Sequence, residues 1–170
     1  SPAASRGPDR RSPVIGILDG ALLRLRLQSD AYASSKGIRA VNDDIVEKTK
    51  ATGKLYFGGV EGEKPFQLWR DFDKKLGKDL SLFITGRLYA REKIPHPTRQ
   101  LVTVAVLTVL SRTEELALHI QAALNVGCRP EEIAEVIFQT FTYGGIPTVN
   151  AALKVLREVL KDRGEWPLRP

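Results

Sequence analysis

In the stretch EELALHIQAALNVGCRPEEI (114–133), His119 follows Glu115 by four residues and is otherwise surrounded by leucine, isoleucine and alanine. On a helix, residues three and four apart share a face, so Leu116, His119, Ile120, Ala123 and Leu124 form one stripe and the imidazole points inward. Glu115 lies one turn earlier. A carboxylate beside an imidazole orients the ring and favours its protonated form, which suits a general acid or base near neutral pH. The same spacing fits a core histidine whose ring is satisfied by hydrogen bonds, and spacing alone does not choose between the two.

The other reactive side chains exclude more than they add. One cysteine, Cys128, rules out an intrachain disulfide and a CxxC redox centre. It follows Gly127 at a helix–helix turn and reads as a small buried apolar side chain. Two histidines 23 positions apart, without HExxH spacing, give no zinc site. His96, between prolines in IPHP (94–97), reads as an exposed loop residue.

The elements that must position these groups are helical. From Pro65, at a first-turn position, Phe66, Trp69, Phe72 and Leu76 recur at three- and four-residue steps. Leu80, Phe83, Ile84 and Tyr89 continue the pattern after a break at Gly77. IPHP makes a proline-bounded turn. LVTVAVLTVL (101–110) falls short of the roughly 20 apolar residues of a membrane span and reads as part of a buried helix over 98–111. Thr113 caps the next helix, Glu114 and Glu115 favour its first turn, and Gly127 stops it. Pro130 opens a helix to Tyr143, and Gly144, Gly145 and Pro147 turn the chain into a last helix reaching Lys161. Upstream, 14–28 and 43–59 read as two short helices. Nothing alternates with period two, so the fold is expected to be all-α: one domain of six or seven helices over 43–165, preceded by a basic arm over 1–42.

Charge distribution supports that division. Of the net charge of +6, residues 1–40 carry +4, from seven Lys/Arg against three Asp, which leaves +2 for the rest. A nucleic-acid partner needs a clustered basic face, and none is visible downstream, so none is expected. No membrane partner is expected either. The first 13 residues have the Ser/Pro/Arg bias of a tail or linker. The start is basic and Ser/Ala-rich like a transit peptide, but its three aspartates argue against one, and a cytoplasmic location is expected.

The stretch REKIPHPTRQLVTVAVLTVLSRTEELALHIQAALNVGCRPEEIAEVIFQTFTYGGIP (91–147) resembles the carboxymuconolactone decarboxylase family of the alkylhydroperoxidase-like group. The shared features are Arg91 and Arg99 ahead of an apolar helix, Glu115 with His119, Gly127 followed by Glu131 to Ile133 and Glu135, and Tyr143 to Pro147. The resemblance covers about 66–160 and implies an alkylhydroperoxidase-like helical bundle. Peroxide-reducing members of the group carry CxxCxxxH. Here the two cysteine positions are Arg112 and Glu115, and the position of their upstream glutamate is Gln100. The thiolate such chemistry needs is absent, so the resemblance points to the decarboxylase branch lacking CxxC.

That branch implies loss of CO2 from a small carboxylated lactone or related acid. The lactone carbonyl and its conjugated double bond accept the electrons, so no metal or organic cofactor is expected. The developing oxyanion needs donors or positive charge, the carbanion-like carbon a proton, and a second carboxylate a cation such as a bidentate arginine. The resemblance implies His119 as general acid/base oriented by Glu115, and Arg91, Arg99, Tyr143 and Gly145 as substrate-binding residues. Structural roles stand beside each: ion pairs of the arginines with Glu131, Glu132 or Glu135, and a plain turn at Gly145. The helices at 98–111 and 147–160 are apolar around much of their circumference. With the family's habit of cyclic assembly, this leads to the expectation of a homo-oligomer, a trimer or hexamer. The alternatives are a non-catalytic oligomeric scaffold or small-molecule-binding protein of the same fold and, more weakly, a peroxidase-like antioxidant using Cys128.

Overall fold

The computed structural model describes the backbone of residues 13–63 and 65–168, all of it helix and connecting turns. The elements run α1 (Pro13–Phe57), α2 (Gln67–Phe72), α3 (Lys74–Ser81), a π-helical segment (Leu82–Tyr89), α4 (His96–Val109), α5 (Thr113–Asn125), α6 (Pro130–Gln139) and α7 (Phe141–Asp162). The chain is all-α, as the lack of alternation predicts. It separates into two units, residues 1–44 and 45–170. In the first, the described side chains are exposed, Leu27 and Tyr32 among them. The Ser/Pro/Arg segment at the start lies, but for Pro13, outside the described residues. Helix α1 runs through the interval between the two short helices expected at 14–28 and 43–59; that interval is rich in alanine, the best helix former.

In the second unit α4, α5, α6 and α7 pack around Val104, Leu116, Ile120, Ile133, Ile137, Leu156 and Leu160. Gly127 ends the α5 turn at φ 92°, and Pro130 is the first residue of α6, as the sequence predicts. Thr113 is the first residue of α5 rather than its cap, which is Arg112. Helix α6 ends at Gln139, short of Tyr143, and α7 begins at Phe141. Gly145 (φ 77°, ψ 173°) breaks α7 just before Pro147, where only a residue without Cβ enters such backbone without strain.

Two expectations fail, the break at Gly77 in the run from Phe66 and the burial of the helix over 98–111. The run from Phe66 is cut at Asp73, whose carboxylate accepts from the N–H groups of Lys75 (2.8 Å) and Leu76 (2.9 Å) and caps α3. Gly77 is no break: it is buried inside α3, where a Cβ would collide with Arg70. Trp69, Phe72 and Leu76 are exposed in the single chain, Phe72 by 88%. Helix α4 is likewise buried on one side only; Gln100, Val104 and Thr108 face in while Val102, Val106, Val109 and Leu110 face out.

The end of α1 is docked against this body. Gly86 is buried on the π-helical segment, and a Cβ there would overlap Thr49 and Ile45, so glycine permits the close approach. The amide of Asn125, at the end of α5, donates to the carbonyls of Tyr56 (2.9 Å) and Gly58 (3.2 Å), satisfying acceptors left open where α1 stops. These contacts place Tyr56 and Phe57 beside α4 and α5.

Candidate functional site

His119 faces the interior of the second unit on the α5 stripe read from the sequence, with Leu116, Ile120 and Ala123 buried on the same helix. Its hydrogen-bond partner is on another helix: Nδ1 lies 3.0 Å from Oε1 of Gln100 on α4. Phe57 and Tyr89 pack edge-on against the ring at centroid distances of 6.0 and 6.3 Å. Burial in this aromatic surround lowers the His119 pKa from 6.5 to about 4, and the opposing pull of Glu115 is smaller. The imidazole is therefore neutral at pH 7. The expected protonated ring gives way to a neutral one because desolvation outweighs the neighbouring carboxylate. Glu115 itself is exposed and lines a separate depression of about 430 Å³ with Glu61, Glu63 and Glu114.

A second imidazole belongs to the same cluster. His96 is the first residue of α4 and partly buried, not a loop residue. Pro95 serves as N-cap and Pro97 sits in the first turn, where no N–H partner is lost, so IPHP starts a helix. Its Nδ1 is 2.6 Å from the hydroxyl of Tyr56, which is fully buried. The Tyr56 ring packs at a tilt against that of Tyr89, with centroids 5.7 Å apart. Burial pushes both phenols above their ordinary pKa, while the Gln100 amide favours the ionised form of Tyr56 and the Arg99 charge that of both.

Arg99 is thus the cation beside the aromatic cluster. Its guanidinium donates to the carbonyl of Arg91 at 2.8 Å, and its Nε is buried without a hydrogen-bond partner. Arg91 is exposed and supplies that carbonyl. Of the acidic residues that could have held the arginines, Glu132 accepts from the backbone of Arg129 and pairs with its side chain. Phe57 also lines a cavity of about 300 Å³ with Lys54, Glu63, Arg70, Thr85 and Leu118, so charges of both signs border it.

Tyr143 and Gly145 are not brought to this cluster. Tyr143 is 77% exposed and lines an apolar groove of about 660 Å³ with Leu101, Val102, Val106, Val109 and Val136. Val102, Val106 and Val109 occupy the side of α4 away from Gln100. Cys128 is buried, with its thiol 3.6 Å from the carbonyl of Pro97 and its pKa raised by burial and by Glu132. That environment disfavours a thiolate.

The family's sequence profile, described as the carboxymuconolactone decarboxylase family, matches residues 75–158. A 4-carboxymuconolactone decarboxylase of Acinetobacter baylyi is 39% identical over 97 residues, which is 57% of this chain and 72% of the relative. The chain belongs to the carboxymuconolactone decarboxylase family. An uncharacterized 15.0 kDa protein of Paracoccus denitrificans is 34% identical over 82 residues, 47% of this chain and 61% of its own length. The decarboxylase-family region contains Tyr89, His96, Arg99, Gln100 and His119, whereas Tyr56 and Phe57 lie ahead of it on α1.

Sequence reasoning missed Tyr56, Phe57, Tyr89 and His96 as site residues and met Gln100 only as a departure from the peroxidase motif. A signal for Tyr56 existed. Ile45, Thr49, Thr52 and Tyr56 fall at helical spacing on one face, but two threonines hide that face from a search for apolar periodicity.

Proposed function

We propose that the protein is a cofactor-independent carboxy-lyase acting on a small carboxylated lactone or related organic acid, with 4-carboxymuconolactone the first substrate to test. The observation that carries this reading is a neutral, inward-facing imidazole held by a buried amide and packed against Tyr89, with Arg99 acting on Tyr89 and Tyr56, in a chain of this family.

The chemistry follows from the groups present. Arg99, helped by Arg91, holds a substrate carboxylate. The bond to the departing carboxylate breaks, CO2 leaves, and the electron pair moves through the conjugated double bond onto the lactone carbonyl oxygen. Phenol and imidazole N–H donors stabilise that oxyanion. One solvent proton is consumed, and His119 transfers it to the carbon that was left carbanion-like. A neutral imidazole is a poor acid, so the proton must be loaded first. An anion bound within a few ångströms raises the imidazole pKa, and Glu115 adds to that pull. Substrate binding is thus coupled to proton uptake.

The exposed apolar side of α4, together with Phe138, Phe141 and Ile146, supports a homo-oligomer, a trimer or hexamer. There Tyr143 and Gly145 would serve a neighbouring copy.

The test is CO2 release from 4-carboxymuconolactone by the full chain, alongside His119→Ala with its helicity checked by circular dichroism. Turnover that requires His119 supports the reading. Folded wild-type protein that releases no CO2 from this substrate or from a panel of lactone carboxylates and β-keto acids sinks it and leaves the oligomeric binding protein of the same fold.

A further inference from the structure

We propose that the cavity walled by Lys54, Phe57, Glu63, Arg70, Thr85 and Leu118 receives the carboxylate that the substrate keeps, with Lys54 and Arg70 as its cations. The substrate is then a lactone bearing two carboxylates rather than one. The inference rests on the lyase reading for what the ligand is, but the site itself is built independently of that reading.

At about 300 Å³ the cavity is at the lower end of the range for ligand pockets, so its occupant is small. Its charged groups come from separate elements, Lys54 from α1 and Arg70 from α2, with Glu63 on the connection between them. Among the described lining residues two cations thus meet one anion, and the single positive charge in excess matches one carboxylate. Arg70 gives one N–H to the carbonyl of Pro65 at 3.2 Å, which steadies the guanidinium and leaves its other donors for a ligand. Thr85 is buried while Lys54 and Glu63 are exposed, so the charges stand at the solvent end. An occupant is therefore oriented, with its uncharged ring inward and a carboxylate outward. The inner end adjoins the imidazole. Phe57 lines the cavity and packs edge-on against His119 at 6.0 Å, and Leu118 precedes His119 on α5. The π-helical segment carries Thr85 to the cavity and Tyr89 to the imidazole, at 6.3 Å. The carboxylate at the solvent end is the one farther from His119, hence the one that stays on the substrate. Arg99 is not among the lining residues, so the two cationic sites take different carboxylates. Lys54, Phe57, Glu63 and Arg70 all precede the family region at 75–158, and the segment ahead of that region sets this preference.

The ring-saturated analogue of 4-carboxymuconolactone lacks the double bond that takes up the electrons, so it binds without losing CO2. Isothermal titration of the full chain with this diacid, and with its ester masked at the retained carboxylate, reads the contact directly. Wild type is expected to bind the diacid roughly tenfold more tightly than the ester. Lys54→Gln and Arg70→Gln each weaken the diacid by about fivefold and leave the ester unchanged, whereas Glu63→Gln tightens the diacid by removing a like charge. Lys54→Gln, at an exposed position, decides the matter alone if Arg70→Gln loses helicity. A wild type that does not bind the diacid or does not prefer it to the ester overturns the proposal, as does a folded Lys54→Gln that keeps the full preference. The readout needs no turnover. A preference that depends on Lys54 in a protein that releases no CO2 from any substrate therefore removes the lyase reading alone, and turnover with a preference indifferent to Lys54 removes this proposal alone.

Discussion

The two sides of α4 are inverted relative to an ordinary amphipathic helix. The inward side holds Gln100 and Thr108 beside Val104, all essentially inaccessible, while the outward side holds Val102, Val106, Val109 and Leu110, each about 40–60% exposed. Burying a primary amide is unfavourable unless it is hydrogen-bonded, and Gln100 is held by one bond to His119 with its nitrogen left over. An apolar stripe of three valines and a leucine facing solvent is equally unfavourable in a lone chain. Each side points to a partner: the His119 imidazole on the inside and, on the reading proposed above, another copy of the chain on the outside.

The comparison is broken most severely at the inside. His119→Ala should lower turnover of 4-carboxymuconolactone by about 10²–10⁴-fold with helicity retained, the range for losing a positioned acid or base; a smaller loss would mean that the polar face serves packing. Next comes acid stability. The folded pKa of His119, about 4, is below its ordinary 6.5, so the unfolded chain takes up the proton first. Stability from this group is complete above pH 6.5, declines as pH falls through the window to about 4, and is constant below it. The decline is up to roughly 3 kcal/mol, read as the difference in urea midpoints between wild type and His119→Gln at pH 7 and pH 4.5. An identical pH response in the two proteins would show the ring to be solvated.

The outer face is tested by Val106→Lys. A charge placed in a buried apolar contact should weaken self-association by about 2 kcal/mol per copy, seen by sedimentation velocity at micromolar concentration, while helicity stays unchanged. A monomeric wild type would leave the outer stripe without its proposed role. The smallest effect is at Thr108, whose buried hydroxyl lacks a partner. Thr108→Val should raise stability by about 1 kcal/mol in thermal unfolding. A loss instead would reveal a polar contact at that hydroxyl.

How far the sequence reached differs between fold and site. Helix stops at Gly127, a start at Pro130, and the inward stripe of Leu116, His119, Ile120 and Ala123 follow from local rules, because caps, proline geometry and the 3.6-residue period act within a few positions. Family membership was equally legible, since it rests on residue types at fixed separations. Spacing could not rank burial against a neighbouring charge at His119. Glu115 is one turn away on the same helix, but what sets the ring's proton affinity is Phe57, Tyr89 and Gln100, arriving from three other elements. The face of α1 that carries Tyr56 goes unread and the outward valines of α4 are expected to be buried for the same reason: periodicity says which residues share a side, and only packing says what that side meets. By itself, then, the sequence determined the helical class, the stop at Gly127, the start at Pro130 and the inward imidazole, all short-range consequences of backbone geometry. The tertiary structure decided the partner of that imidazole and its neutral state, because desolvation and hydrogen bonding depend on atoms distant in the chain.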